Sequence, residues 1–164
     1  MNAVADKAPT EGEYTLVLPY PVSANRYWRP VKLGERMAMV PTKEAKAYKA
    51  EVQHRAMLAR CTRPLQGRIE LHIDLYPARP QDWAKRERKD PDTWDDSVLC
   101  MDLGNCEKVL SDALNGLAWV DDKQIRRMVK TRHAPDEYGA RVVVRFRAMP
   151  LRLRPLGHTM ELEL

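Results

Sequence analysis

The sequence of 164 residues has little that would mark a membrane, secreted or zinc-binding protein. No apolar run approaches the length that crosses a bilayer, and no apolar segment of a signal peptide is visible. The three cysteines form no Cys-x-x-Cys pair and cannot all pair with one another, which favours a reducing compartment. Cysteine and histidine lack metal-ligand spacing, which argues against zinc. We therefore expect a cytoplasmic protein with no membrane partner.

Internal repeats and a nucleotide-binding glycine loop are also absent, so repeat proteins and nucleotide-loop enzymes are excluded. The chain carries 28 Lys+Arg against 23 Asp+Glu, a formal charge of +5. A mildly basic balance is compatible with a nucleic-acid partner but does not establish one. The length predicts one domain that is large enough to bury a core.

Residues 101–125 combine an amphipathic helix with acidic residues at both ends. Asp102 occupies the expected N-cap position, and Asn115-Gly116 is a strong stop signal. Lys108 lies outside the apolar stripe, on the same side of the helix as position 104. Apolar residues recur at helical spacing, at Leu103, Cys106, Leu110, Ala113 and Leu117.

A second acidic pair, Asp121-Asp122, follows this helix. Asp102 and Asp122 could meet around a cation, with Lys108 beside them, if the chain folds back over the helix start. Alternatively, Asp102 only caps the helix and the later aspartates are solvated loop residues. Residue types alone favour the second interpretation.

Cations and aromatics alternate over residues 22–36. The candidate contacts are Asn25, Arg26 and Arg29, with Tyr27 and Trp28 among them. This mixture suits phosphate contacts together with stacking on bases or sugars. An ordinary surface loop whose aromatics pack inward is an equally good interpretation.

A charged insertion spans residues 77–100 and is predicted as a loop. A connection of this length is unusual in a compact domain unless it is functional or mobile. It could be a DNA-facing flap with Trp83 or Trp94 available to stack, or a solvated charged hairpin. Its basic residues include Lys85, Arg86, Arg88 and Lys89, and its acidic residues are Asp90, Asp92, Asp95 and Asp96.

Periodicity predicts a mixed α/β (α+β) domain in which two main helices pack on one small sheet. The strands are predicted over 14–18, 68–76, 124–131 and 141–146, and the helices over 42–59 and 102–115. The third strand is predicted to show one basic face, which would carry Arg126, Arg127 and Lys130. We expect a loose arm over 1–13, the domain over 14–148 and a tail over 149–164.

Two blocks of this sequence resemble the RusA-type Holliday-junction resolvases, a family of crossover junction endodeoxyribonucleases. In that family an Asp-Leu-Asp-Asn-x-x-Lys run opens a helix, and an aromatic-x-Asp-Asp turn follows it. The corresponding runs here are Asp102-Leu103-Gly104-Asn105-Cys106-Glu107-Lys108 and Trp119-Val120-Asp121-Asp122. Residues 18–28 resemble the family's first strand and its Pro-Ser-x-Asn loop. The resemblance covers about residues 14–146.

The resemblance implies a homodimer that cuts four-way DNA junctions by Mg²⁺-dependent phosphodiester hydrolysis, with Mn²⁺ able to substitute. The setting would be DNA recombination and repair in a bacterial cell, with the gene bacterial or phage-borne. Asp102 and Asp122 would be metal ligands, Lys108 the catalytic lysine, and Asp121 an adjacent support. Contacts to DNA would come from Asn25, Arg26, Arg29, Lys85, Arg86, Arg88, Lys89, Arg126 and Arg127.

One position departs from the family pattern, because Gly104 stands where the second aspartate is expected. Glycine cannot supply a metal ligand, and early in a helix it costs roughly 0.5–1 kcal/mol relative to alanine. The chain is then either a working nuclease, with Asp95, Asp96 or Asp121 replacing the ligand, or a junction-binding protein with impaired cleavage. A third interpretation is a basic DNA-binding module without junction preference.

Overall fold

A computed structural model describes residues 12–150 of the chain. Its strands are β1 (Glu13–Pro19), β2 (Trp28–Leu33), β3 (Arg36–Pro41), β4 (Ile69–Tyr76), β5 (Ile125–Arg132) and β6 (Arg141–Ala148). Four of them form a central sheet in the order β1-β6-β4-β5, in which β4 and β5 are parallel, and β2 and β3 form a separate two-stranded ribbon. The α-helices are α1 (Ala24–Tyr27), α2 (Lys43–Leu58), α3 (Trp83–Lys89) and α4 (Leu103–Leu114), and short 3₁₀ turns cover Trp94–Ser97 and Asp122–Gln124.

The two long helices pack on one face of the sheet, as the sequence predicts. Thr42 is the N-cap of helix α2, and its hydroxyl accepts a hydrogen bond from the Ala45 N–H. It contacts β1 and α4, and α4 contacts β4 and β5. The strands supply alternate buried residues to the core between these layers, including Ile69, Leu71, Ile73 and Leu75 on β4. The predicted mixed α/β class is confirmed.

The predicted boundaries differ from the structure in three places. The segment predicted as a loop over 22–36 contains α1 and β2, and β2 pairs with β3. The charged insertion over 77–100 contains α3 and a 3₁₀ turn. Glu13 belongs to β1 rather than to an arm. The rest of the predicted arm and most of the tail, residues 1–11 and 151–164, lie outside the described residues.

The prediction of one basic face on β5 is wrong. Arg126 and Lys130 face the helix side, where they line a groove beside α4. Arg127 faces the other side, and its guanidinium lies 3.0 Å from the Glu70 carboxylate. Side chains of successive strand residues point to opposite faces of the sheet, so the adjacent Arg126 and Arg127 cannot lie on the same face.

The sheet face away from the helices carries two buried acids on its central strand. Glu70 is 4% exposed and Asp74 9% exposed. Glu70 accepts hydrogen bonds from the Arg147 guanidinium at 2.6 and 2.8 Å, and Arg145 donates to Asp74 at 2.8 Å. Arginine stems on the flanking strands therefore cover the acids and satisfy their charge.

Within residues 12–150, no helix is long and apolar enough to cross a membrane.

We expect Glu70→Gln to remove an acid-sensitive part of the stability. Hydrogen bonds from Arg147, and next from His72, hold the pKa of the Glu70 carboxyl below its ordinary value. That stabilisation is complete above the unfolded pKa of about 4.3 and is lost as the pH falls through the lower folded value. Urea unfolding at pH 7 should show that the variant loses about 1–3 kcal/mol of the free energy of unfolding. The difference in unfolding free energy between variant and wild type should disappear in acid.

Glu137→Gln is the matched control, because Glu137 is exposed and pairs with Arg79 at 3.3 Å. It should change stability by at most about 1 kcal/mol, as exposed ion pairs do. Equal effects of the two variants at pH 7 would contradict this account of the sheet face.

Candidate active site

Helix α4 presents its N-terminus to solvent with Asp102 as the cap. The Asp102 carboxylate accepts a hydrogen bond from the Asn105 N–H at 2.8 Å, and the Asn105 side-chain amide donates to its other oxygen. An N-cap aspartate satisfies an orphan N–H and interacts favourably with the helix dipole. The predicted cap is confirmed, and its carboxylate is exposed.

Position 104 lies directly beside this carboxylate. A Cβ atom built on Gly104 would be 3.3 Å from the Asp102 Oδ1 atom. A carboxylate at 104 would therefore adjoin that of Asp102, which is the arrangement that two ligands of one cation require. Lys108 follows one turn later on the same side and is exposed.

Two distant residues fix the segment that leads into Asp102. The Met101 N–H donates to the Tyr20 hydroxyl at 2.7 Å, and this hydroxyl donates to the Cys100 Sγ atom at 3.5 Å. Burial raises the pKa of the Tyr20 hydroxyl to about 12, so it stays protonated and able to donate at neutral pH. Arg132 donates to the Val98 carbonyl at 3.0 Å. The approach to the cap is thus held by Tyr20, directly after β1, and by Arg132 at the end of β5.

Asp121 and Asp122 form the turn that leads into β5. The Asp121 carboxylate accepts a hydrogen bond from the Lys123 N–H at 2.9 Å, and this bond holds the pKa of Asp121 below its ordinary value. Gln124 completes a capping box with Asp121. Asp121 therefore has a structural role in the turn, and the Asp122 side chain is left exposed.

Asp122 lines a groove of about 600 Å³ between α4 and β5. Helix α4 contributes Glu107 and Ser111 to this groove, and the strand contributes Arg126 and Lys130. The Lys130 ammonium lies 2.6 Å from the Glu107 carboxylate. Asp102 lies at the N-terminal end of the same helix, outside the groove lining. The groove is a mixed-charge surface with two acids and several cations.

The donor chemistry of this region suits a hard cation, because carboxylate oxygens are the ligands that Mg²⁺ prefers. The arrangement is incomplete, however. Among residues 12–150, no three Asp, Glu, His or Cys side chains come close enough together to hold a metal ion. Asp95, Asp96 and Asp121 therefore complete no such group here. The structure does not contain a preassembled three-carboxylate site.

The predicted DNA contacts lie on four separate surfaces. Asn25, Arg26 and Arg29 line a second groove, where Arg26 pairs with Glu44 at 2.8 Å. On α3, Lys85, Arg88 and Lys89 are exposed, but Arg86 is bonded to Asp82 and Ser97. Arg126 lies in the groove of Asp122, and Arg127 is on the opposite face of the sheet.

Sequence reasoning placed Lys130 on a basic strand face but missed its ion pair with Glu107 at the groove. The place of Glu107 was predictable from the sequence, since it lies one helical turn after Gly104 and so shares its side of α4. The partner lysine was not identifiable, because it depends on the packing of β5 against α4. Asp112 was also missed, and it accepts a hydrogen bond from the buried Tyr27 hydroxyl at 2.5 Å.

Substitution at Asp102 should separate its capping role from its charge. Asp102→Ala removes the side-chain acceptor and should cost about 1 kcal/mol of stability. Asp102→Asn keeps an acceptor that caps about as well, so its stability in urea unfolding should match the wild type within a few tenths of a kcal/mol. An equal loss in both variants would mean that the carboxylate charge, rather than the cap, stabilises α4.

A comparison with known protein families identifies the family of this chain. The profile of the family described as Endodeoxyribonuclease RusA matches residues 19–147. A search of curated proteins finds no significant match. The matched range includes residues 19–28, helix α4 with its Asp102 cap, the Asp121-Asp122 turn and most of the sheet. The match confirms the resemblance of the two sequence blocks to this family. The chain belongs to the RusA endodeoxyribonuclease family, whose members act on Holliday-junction DNA.

Proposed function

We propose that this chain is a structure-selective endonuclease that cuts four-way DNA junctions by Mg²⁺-dependent phosphodiester hydrolysis. The observation that carries the proposal is the exposed Asp102 cap of α4, with the exposed Lys108 on the same side of the helix, inside a RusA-family domain. Recombination and repair of DNA would be the setting, in the cytoplasm of a bacterial cell, and the gene could be bacterial or phage-borne. Mn²⁺ would be able to replace Mg²⁺.

Asp102 and Asp122 are the proposed metal ligands, and Lys108 is the proposed catalytic lysine. A bound divalent cation would activate water and neutralise charge on the scissile phosphate. Lys108 is exposed on the side of α4 that carries Asp102 and position 104, so its ammonium can approach a phosphate there and stabilise developing negative charge. Asp121 would act only by shaping the turn that presents Asp122.

Exposed cations on α1, β2, α3 and β5 would hold the DNA arms. Arg29, Lys85, Arg88 and Lys89 are exposed, and such residues bind phosphates without reading sequence. Arg86 and Arg127 have internal acidic partners, so their contribution to DNA binding would require exchange of those partners. Two opposing strands must be cut to resolve a junction, so the working form would be a homodimer.

A second candidate function is junction binding with impaired cleavage. Gly104 and the lack of a three-carboxylate group among the described residues favour it. Asp102, Lys108 and Asp122 all remain in the sequence. Cleavage that was impaired by the missing carboxylate at position 104 would therefore be restored by one substitution. The two candidates share a fold and a DNA partner, and they differ only in metal chemistry.

Gly104→Asp should increase metal affinity and Mg²⁺-dependent junction cleavage by at least about tenfold, equivalent to about 1.4 kcal/mol. The new carboxylate would adjoin Asp102, whose Oδ1 atom would move by a few tenths of an ångström to accept it. Two adjacent carboxylates repel each other without a cation. The melting temperature of the variant should therefore fall in EDTA and rise with Mg²⁺ more than that of the wild type.

Adding Asp122→Asn to the Gly104→Asp background is the control, because it removes a proposed ligand while leaving the basic surfaces unchanged. It should abolish cleavage while junction binding in EDTA remains. If Gly104→Asp changes neither metal-dependent melting nor cleavage, the assignment of position 104 to the metal site is wrong.

A further inference from the structure

The β2–β3 ribbon, residues 28–41, is separate from the four-stranded sheet. None of its residues is buried. Its base is closed by a hydrogen bond from the Thr42 N–H to the Tyr27 carbonyl at 2.9 Å. Two-stranded hairpins are marginally stable in water when no third layer covers them. A ribbon without buried residues therefore offers a surface that a partner can cover.

Large apolar side chains on the ribbon face solvent. Leu33 is 61% exposed, Met37 67% and Met39 60%. Met39 lies opposite Pro30 and Met37 opposite Lys32 in the register, so these four residues share one face of the ribbon. Clustered exposed apolar residues usually mark an interaction surface.

The charge of the ribbon indicates what the partner carries. Arg29, Lys32 and Arg36 are exposed, and Glu35 at the turn is the only acid between residues 28 and 41. Arg29 and Arg36 lie on the face opposite to Lys32, so both faces are basic. Two copies of the chain whose ribbons packed face to face would bring like charges together. An anionic partner with apolar surfaces fits better, and DNA bases and phosphates provide both.

The ribbon is also fixed to the helix of the proposed active site. Tyr27, directly before β2, is 1% exposed, and its hydroxyl donates to Asp112 on α4 at 2.5 Å. Asp102 caps that same helix. Whatever the ribbon binds is therefore held in a fixed relation to the proposed site.

We propose that the β2–β3 ribbon inserts at the branch point of a four-way junction. Met37 and Met39 would pack against base pairs that the branch leaves partly unstacked, and Lys32, Arg29 and Arg36 would contact the flanking phosphates. A two-stranded ribbon fits the major groove of DNA, and methionine is among the side chains that wedge between bases. The inference rests on the proposed junction function and adds to it the element that distinguishes branched from linear DNA.

The test compares binding to a four-way junction and to a linear duplex of equal length, both in EDTA so that cleavage does not interfere. A 2-aminopurine base at the branch point reports unstacking. The variants are Met37→Ser with Met39→Ser, and Lys32→Gln with Arg36→Gln. Met57→Ser is the matched control, because Met57 is 59% exposed on α2, outside the ribbon.

We expect the wild type and Met57→Ser to increase the 2-aminopurine fluorescence. The double methionine variant should lose this increase and bind the junction about tenfold more weakly, with less than about a twofold change on linear duplex. The Lys32→Gln, Arg36→Gln variant should reduce the slope of log affinity against log salt by about 2.

The ribbon proposal is overturned if the wild type prefers the junction and the methionine variant behaves like Met57→Ser. It is also overturned if sedimentation without DNA shows that the methionine variant turns a dimer into a monomer, since the partner is then a second copy. A wild type without junction preference would instead overturn the proposed function, and the ribbon proposal with it.

Discussion

The hydrogen bond between the Tyr27 hydroxyl and Asp112 joins the two parts of the chain that the proposed function depends on. It is formed between residues 85 positions apart, at the contact between the N-terminal block and α4. Burial raises the pKa of the Tyr27 hydroxyl above its ordinary value, so the bond is maintained across the physiological range. A second tyrosine, Tyr20, holds the Met101 N–H just before the cap. The acidic cap and the basic ribbon are therefore both positioned by tyrosines of the N-terminal block.

Much of the frame is predictable from the sequence because local signals and burial agree there. Asp102 and Asn115-Gly116 mark both ends of α4, and the structure places the helix between them. The alternation along β4 correctly gives Ile69, Leu71, Ile73 and Leu75 as core residues. Such patterns are reliable because one face of each element must be buried.

The sequence does not predict features that depend on packing between distant elements. Glu70 and Asp74 look like solvent-facing strand residues, yet arginines from β6 bury them. The β2–β3 ribbon was not predicted, because its strands contain cations, prolines and methionines rather than a regular alternation of polar and apolar residues. The Glu107–Lys130 pair depends on how β5 lies beside α4. For the two buried acids and for the Glu107–Lys130 pair the determining contact is long-range, and no local pattern encodes it.

We propose that a RusA-family domain with glycine at position 104 still cuts four-way junctions. Incubation of the unaltered chain with an end-labelled four-way junction in Mg²⁺ or Mn²⁺, beside a linear duplex and an EDTA control, tests this directly. We expect paired nicks at symmetric positions on two opposing strands of the junction, which EDTA abolishes and the duplex does not show. A junction that stays intact in both metals would show that this chain does not cut it.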